Sequence, residues 1–320
     1  MSGHEIIVHP GHVLETAGRD LLDDAADAFA AASRSAATRR AYRSDARDFI
    51  TWCEGQGAEP LPAAPRTVVR YLTHLAGLGR SVSTIDRRTA AIAALHRSQG
   101  RDTPTSTEEV RTVLTGIRNT LGRRPIKKQA LTADLVAKVI RKIPTDLVGL
   151  RDRALILLCF GGAFRRSELV ALDVSDLDWH RKGVLVRLRR SKTDQTGEGR
   201  TVAVLNGKLK IPEAVRAWLD GADISIGPVF RGCDRNRVAA GRLTAGQFAR
   251  TLKARCAAAG LDPTLIGGHS PRRGFATTAG DVGADLRHIA RHMRHVKLET
   301  TAGYIEDAEA FRDSAGKGFL

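Results

Sequence analysis

A short charged segment in the middle of the chain most constrains the fold, because it divides the sequence into two parts. In this segment the apolar periodicity stops and charge gathers around a proline, which predicts a linker. Its residues are Gly122-Arg123-Arg124-Pro125-Ile126-Lys127-Lys128. At 320 residues the chain is long enough for two domains that each bury a core. We expect an amino-terminal domain over residues 1–121, a linker over 122–129 and a second domain over 130–320.

The first of these domains is predicted to be helical. Apolar residues recur at helical spacing from residue 14 to residue 120, and no alternating strand pattern interrupts them. Ser83 with Asp86, and Ser106 with Glu109, have the spacing of capping boxes and predict two helix starts.

The second domain is predicted to be mainly α with a small β-hairpin, an α+β class. Gly161-Gly162 ends one helix, and a helix carrying Arg165 and Glu168 is expected next. Alternating apolar residues on both sides of the polar turn 193–199 predict a hairpin with Lys192 at its tip end. Their positions are Val184, Val186, Leu188, Val202 and Val204. From Thr244 onward the sequence again favours helix.

The charge balance favours a polyanionic partner. Lysine and arginine total 51 against 35 acidic residues, a formal charge of +16, so nucleic acid is the leading candidate. The longest strongly apolar run, Ala154 to Phe160, is too short for a membrane span. The first residues lack the pattern of a secretory signal, so a cytoplasmic, nucleoid-associated location is expected. The four cysteines form no Cys-x-x-Cys pair, which argues against a disulfide framework and a structural zinc site.

One ordered series of side chains suits attack on a phosphodiester. Such an enzyme needs a nucleophile, cationic donors for the non-bridging oxygens, and groups that move protons. The series consists of Arg165, Lys192, His269, Arg272, His295 and Tyr304. Arg165 and Arg272 are assigned to the non-bridging oxygens, because planar guanidinium groups donate in pairs and remain charged. Glu168, three residues after Arg165, would orient that guanidinium or simply pair with it.

The sequence around these residues resembles the tyrosine recombinase, or phage integrase, family. The resemblance rests on Gly162-Ala163-Phe164-Arg165-Arg166-Ser167-Glu168-Leu169, His269-Ser270-Pro271-Arg272, Arg190-Ser191-Lys192-Thr193, and the nine-residue step from His295 to Tyr304. Within the family, Cre-type recombinases look closest. Two departures stand out: Arg166 is at a place that is usually aliphatic, and Met293-Arg294-His295 replaces the commoner Leu-Gly-His.

The resemblance implies a fold and a reaction. The fold is a helical core-binding domain of SAM-like type and a catalytic domain, which close around duplex DNA like a clamp. Tyr304 would attack phosphorus and leave a 3′-phosphotyrosine link, with His269 accepting its proton. Lys192 would protonate the leaving 5′ oxygen, and His295 would donate to a non-bridging oxygen.

The resemblance also implies how the protein is assembled. A homotetramer would join two double-stranded DNA sites and exchange strands through a Holliday junction, with no metal and no small-molecule cofactor. The tail after Tyr304 would pack on a neighbouring protomer.

Contacts to DNA are predicted on two basic segments of the amino-terminal domain. Their residues are Arg39, Arg40, Arg43 and Arg47 in the first segment, and Arg87 and Arg88 in the second. Arg40, Arg43 and Arg47 share a helical face that suits a phosphate track, although a solvated surface would have the same pattern.

Three other interpretations remain open at this point. A DNA-relaxing topoisomerase or a hairpin-forming resolvase would use the same nucleophile. A non-catalytic DNA-binding regulator is expected to lack one or more of the catalytic side chains, and all of them are present. Finally, His288, His292 and His295 have a helical spacing that could mimic a metal site.

Overall fold

The chain forms two compact units, residues 1–126 and 127–320. The computed structural model describes residues 36–122, 128–189, 199–234 and 237–304. Lys192, the rest of the hairpin tip and the tail after Tyr304 lie outside these ranges.

Four α-helices make up the described part of the amino-terminal unit, as the periodicity predicted. They are α1 (Ala36–Gly55), α2 (Pro65–Gly77), α3 (Val82–Ser98) and α4 (Glu108–Leu121), with a 3₁₀ turn at Pro104–Ser106. Their apolar faces meet in one core, in which Phe49, Tyr71 and Ile92 are fully buried. Phe49 and Tyr71 pack edge to face, with ring centroids 5.1 Å apart.

The two predicted capping boxes in this unit do not coincide with the observed helix starts: Ser83 lies two residues after its N-cap residue, and Ser106 lies one residue before. The α3 helix begins after Ser81, whose Oγ accepts from the Thr84 N–H at 3.4 Å, so Ser83 lies inside the helix. The α4 helix begins after Thr107, because Ser106 still belongs to the 3₁₀ turn. Several hydroxyl residues lie near each start, so the sequence alone does not identify the N-cap. Ser81 caps its helix with the side chain, whereas Thr107 makes no side-chain cap hydrogen bond.

The carboxy-terminal unit is also mainly helical. Its helices are α5 (Ala133–Arg141), α6 (Leu147–Gly161), α7 (Arg166–Ala171), α8 (Ile211–Gly221), α9 (Ala245–Ala258), α10 (Ser270–Asp281) and α11 (Leu286–Met293). Residues 298–304 are helical as well. The run Ala154 to Phe160 of α6 is buried on every side, so this helix is the centre of the core.

The predicted hairpin is confirmed as part of a three-stranded antiparallel sheet. Strand β2 (Gly183–Leu188) pairs with β3 (Arg200–Leu205), with Val184 opposite Val204 and Val186 opposite Val202. Strand β1 (Leu177–His180) adds to the other edge of β2 and was not predicted. A second hairpin, β4 (Arg231–Asp234) with β5 (Arg237–Arg242), was also missed.

Two glycines let elements approach closely enough to assemble the site. A methyl group at Gly274 would lie 1.7 Å from the carbonyl oxygen of Leu131, so only glycine lets α10 cross this segment. There the Leu131 N–H donates to the backbone carbonyl oxygen of Ser270 at 2.9 Å, which fixes the start of α10. A methyl group at Gly161 would lie 2.4 Å from Ile211 Cδ1. Because glycine has no side chain, α8 fits beside the end of α6.

None of the helices in the described ranges combines the length and hydropathy needed to cross a membrane.

Candidate active site

Arg165 and Glu168 form the first part of the site, at the start of α7. Arg165 is the N-cap residue rather than a residue inside the helix, which corrects the sequence-based expectation. Glu168 Oε2 accepts from the Arg165 backbone N–H at 2.9 Å, and Oε1 accepts from the guanidinium at 2.5 Å. The carboxylate thus closes the helix start and holds the guanidinium at the same time.

A second guanidinium, which the sequence had not assigned to the site, binds the same carboxylate. Arg294 Nη2 donates to Glu168 Oε2 at 2.9 Å. The two side chains are each 2% exposed, so this is a buried ion pair. The only hint of it in the sequence was arginine at a place where glycine is commoner.

Arg272 lies in the first turn of α10 and ties three segments together. Its guanidinium is buried and donates to the carbonyl oxygens of Ala163 and Met293. Burial, followed by the charges of Arg165 and Arg294, lowers its pKa from 12.5 to about 10, so it stays charged at neutral pH. The turn before α7 and the end of α11 are both fixed against it.

His269 is the N-cap residue of α10, which begins at Ser270. The residue is exposed as a whole, yet neighbouring atoms partly desolvate its ring. That desolvation, and then the charges of Arg166 and Arg272, lower the pKa of His269. A neutral imidazole with one open side can accept a proton.

His295 and Tyr304 lie together. Their rings stack with centroids 5.6 Å apart and planes 22° apart. His295 Nδ1 lies 2.8 Å from the hydroxyl of Thr301, which is fully buried, so the imidazole is held from the helical segment that carries Tyr304. The guanidinium of Arg273 lies 5.9 Å from the Tyr304 ring centroid on the α10 side. Sequence reasoning missed Thr301 and Arg273, since neither spacing nor residue type singles them out.

The structure therefore brings most of the predicted series into one cluster. The pKa of His295 is lowered to about 4 by burial and then by the charges of Arg272, Arg165 and Arg294. These charges reach His295 from three separate segments. Lys192 lies outside the described residues, so its place in the site stays a prediction.

The three histidines that could mimic a metal site have separate surroundings. His292 Nε2 lies 2.8 Å from the Gly161 oxygen, and its ring stacks on Phe275 at 4.4 Å. His295 faces Thr301, and His288 is exposed. Across the described ranges, no three histidine, cysteine or acidic residues are grouped as ligands.

The predicted DNA-contacting arginines differ in what surrounds them. Arg39, Arg40, Arg43 and Arg47 are exposed on α1. Arg87 forms an ion pair with Asp45, and its side chain is 42% exposed. The side chain of Arg88 is only 13% exposed, and it donates to Asp48 and to the Tyr71 hydroxyl. Arg88 therefore serves the packing of its own unit, which makes α1 the stronger candidate for a DNA track.

The lowered histidine pKa values predict a loss of stability in mild acid. In the unfolded chain His295 binds a proton near pH 6.5, whereas in the folded protein it does so only near pH 4. The unfolded state therefore takes up the proton first, and the free energy of unfolding falls as the pH drops from about 6.5 to about 4. Burial lowers the pKa values of His269 and His292 too, which acts in the same direction.

Thermal unfolding followed by circular dichroism between pH 7 and pH 4.5 measures this effect. The midpoint should fall steadily with pH, and the fall should be smaller in His295→Asn, which keeps an amide near the position of Nδ1. A midpoint that does not change in the wild type over this range would show that the imidazoles protonate freely.

Comparisons with known proteins place this site in a known context. A sequence model described as the Phage integrase family matches residues 129–310, and one for the SAM-like amino-terminal domain of phage integrases matches residues 27–100. A protein named integrase/recombinase xerD homolog, from Selenomonas ruminantium, is 37% identical over 297 residues, which cover 88% of this chain and 85% of the relative.

Two solved structures share the fold. A lambda integrase dimer bound to a COC′ core site superposes with a TM-score of 0.60 at 15% identity, over 90% of this chain and 77% of that chain. XerH recombinase in a post-cleavage complex with its difH substrate gives 0.59 at 18% identity, over 79% and 72%. At these identities the likeness concerns the fold alone.

Proposed function

The chain belongs to the phage integrase family of tyrosine recombinases, and from this premise we propose that Tyr304 is the nucleophile with which it breaks DNA strands. The protein is a site-specific DNA recombinase that cuts and rejoins duplex DNA. The observation that supports Tyr304 most directly is its stacking on His295, at the edge of a cluster that contains Arg165 and Arg272.

The proposed reaction is an exchange of one phosphodiester for another. The Tyr304 oxygen attacks phosphorus, its bond to phosphorus forms, and the bond to the 5′ oxygen breaks. The phenol proton passes to His269, and Lys192 supplies a proton to the departing 5′ oxygen. A 5′ hydroxyl from a second strand then reverses these steps, so the covalent link conserves the bond energy and no cofactor is required.

The arginine pair is proposed to stabilise the charge that builds on phosphorus. Arg165 and Arg272 would donate to the non-bridging oxygens, where preorganised donors act most strongly in a desolvated site. Glu168 holds one of these guanidiniums, and backbone carbonyl oxygens hold the other. Neutral His295 has one ring nitrogen beside Thr301, which leaves the other available for an oxygen of the substrate.

Trapping the covalent intermediate tests the proposed function. Nicked duplex fragments that cover the DNA flanking the gene of this protein are incubated with it. Cleavage beside a nick releases a short strand that diffuses away, so the adduct accumulates on a denaturing gel. Mass spectrometry of the digested adduct should locate the DNA on the peptide that contains Tyr304. An adduct on another side chain, or none with any fragment, would contradict the proposal.

The partner is proposed to be duplex DNA bound in part by α1. Arg40, Arg43 and Arg47 are exposed and lie on one face of this helix. If they contact phosphates, binding releases condensed counterions, and affinity falls steeply with salt. Replacing all three with glutamine should flatten the slope of log affinity against log salt by up to about 2.7, since each lost phosphate contact contributes about 0.9.

A charge-matched control separates this effect from a general loss of positive charge. Arg97, Arg101 and Arg111 are exposed arginines of the same unit outside α1. Their triple replacement with glutamine should change the salt slope less, as measured by fluorescence anisotropy at several salt concentrations. A flatter slope in the control alone would place the phosphate track on another face.

We also propose that four copies assemble on two DNA sites in the cytoplasm. Exchanging both strands between two duplexes needs four cuts, and each chain carries one Tyr304. A homotetramer is the smallest assembly of this chain that supplies one nucleophile for each cut.

A further inference from the structure

Arg294 has a backbone conformation that glycine adopts more easily. It is the C-cap residue of α11 in the left-handed region, with φ 59° and ψ 44°. A side chain with a Cβ is strained there, so such residues persist where surrounding contacts hold them. The contacts of its guanidinium provide this hold.

The guanidinium of Arg294 is fixed by four oxygen atoms inside the carboxy-terminal unit. It donates to the carbonyl oxygens of Gly162 and Ala163 at 3.1 Å each and to that of His292 at 2.8 Å. It also donates to Glu168 Oε2 and lies 5.2 Å from the centre of the Phe164 ring. Arg294 is 2% exposed, so it acts on its protein neighbours and not on DNA directly.

The shared carboxylate gives this arrangement a chemical consequence. Glu168 Oε1 accepts from the Arg165 guanidinium, and Oε2 accepts from both the Arg165 backbone N–H and the Arg294 guanidinium. If Arg165 were its only partner, the carboxylate would neutralise the guanidinium that is needed for phosphate. Burial opposes the ionisation of Glu168, and the charge of Arg294 is the largest of the effects that lower its pKa. Arg294 thus favours the ionised form of Glu168 and shares its negative charge with Arg165.

The same contacts position the turn before α7. The carbonyl oxygen of Ala163 accepts from both Arg272 and Arg294, and Ala163 itself has φ 44°. Arg165 follows two residues later as the N-cap of α7. Two guanidinium groups, those of Arg272 and Arg294, therefore hold the turn that positions Arg165.

We propose that Arg294 is a positioning residue for strand cleavage. It compensates part of the negative charge of Glu168 and fixes the turn before α7, so that the charge of Arg165 remains available to the substrate phosphate and its side chain keeps its direction. This inference rests on the proposed function and deepens it. A purely structural Arg294 would stabilise the fold without affecting how strongly Arg165 is neutralised.

Two single variants and one double variant separate these roles. Arg294→Gly removes the guanidinium and relieves the backbone strain at φ 59°. Arg294→Lys keeps the charge but loses the planar fork. The pair Arg294→Gly with Glu168→Gln also removes the carboxylate that Arg294 had balanced. The probe is a nicked duplex carrying the cleavage position located by adduct trapping, with cleavage rates measured below the unfolding temperature of every variant.

Arg294→Gly should bind this duplex almost as tightly as the wild type and cleave it about tenfold more slowly, a change equal to about 1.4 kcal/mol. Arg294→Lys should recover part of the rate. The double variant should cleave faster than Arg294→Gly, because no uncompensated carboxylate then neutralises Arg165. Wild-type cleavage by Arg294→Gly, or a double variant no faster than Arg294→Gly, would overturn the proposal.

A measurement without DNA keeps the inference testable if the proposed function fails. Arg272, Arg165 and Arg294 are the charged groups that act on His295. In Arg294→Gly the pKa of His295, followed by NMR titration of its ring signals, should move up from about 4 toward its usual value of 6.5. An unchanged pKa would show that the charge of Arg294 does not reach the site. A wild-type protein that forms no adduct would instead reject the proposed function.

Discussion

Tyr304→Phe is expected to lose covalent attachment to DNA completely while keeping its affinity for the site. The substitution removes only the attacking oxygen. The ring can still stack on His295 and lie below Arg273, since neither contact uses the hydroxyl. The comparison of adduct yield on a denaturing gel with binding measured by gel shift, on the same nicked duplex, separates chemistry from recognition.

A matched variant shows whether the loss is specific to this phenol. Tyr42 is a half-buried residue of α1 in the other unit, and Tyr42→Phe also removes one hydroxyl. Its adduct yield should equal that of the wild type. If Tyr304→Phe still forms an adduct, another side chain is the nucleophile, and the assignment of Tyr304 fails.

Arg165→Ala should slow cleavage by about 10²-fold or more, which corresponds to about 3 kcal/mol for one preorganised charge-stabilising donor. The fold should tolerate this change, because Glu168 keeps its ion pair with Arg294 and is not left as an unpaired buried charge. DNA binding should change far less than the cleavage rate. Single-turnover cleavage and gel shift on one substrate give both values.

Arg272→Ala should slow cleavage similarly but also destabilise the protein. Its guanidinium donates to the carbonyl oxygens of Ala163 and Met293. Arg294 still donates to Ala163 after the substitution, but the Met293 oxygen loses this donor, and a buried polar group without a partner costs about 1–3 kcal/mol. Arg216→Ala is the control. Arg216 belongs to α8 and lies over the ring of Trp179, and its substitution removes the same charge from the unit. A near-normal cleavage rate in Arg165→Ala would make that arginine structural and would contradict its proposed role at the non-bridging oxygens.

The sequence predicted those parts of the fold that have a regular burial pattern. The β2–β3 hairpin has a clear alternation, and its valines face each other as expected. The β4–β5 hairpin was missed because the residues of β5 are nearly all exposed, so its sequence has no alternation to detect. Helix starts were misplaced by a residue or two where several hydroxyl side chains stood in a row, as at Ser81 and Ser83.

The sequence by itself determined the chemistry of this protein, because a nucleophile, guanidinium groups and proton carriers are residue types in distinctive local contexts. The tertiary structure decided how these groups are held. Glu168 and Arg294 are 126 positions apart, and only the packing of α11 against the turn before α7 brings them within 2.9 Å. Local patterns indicate which face of a helix is apolar. A buried ion pair depends on which elements contact each other and on the positions along them at which they do. The sequence therefore marked Arg294 only as an unusual residue, and the fold gave it a partner.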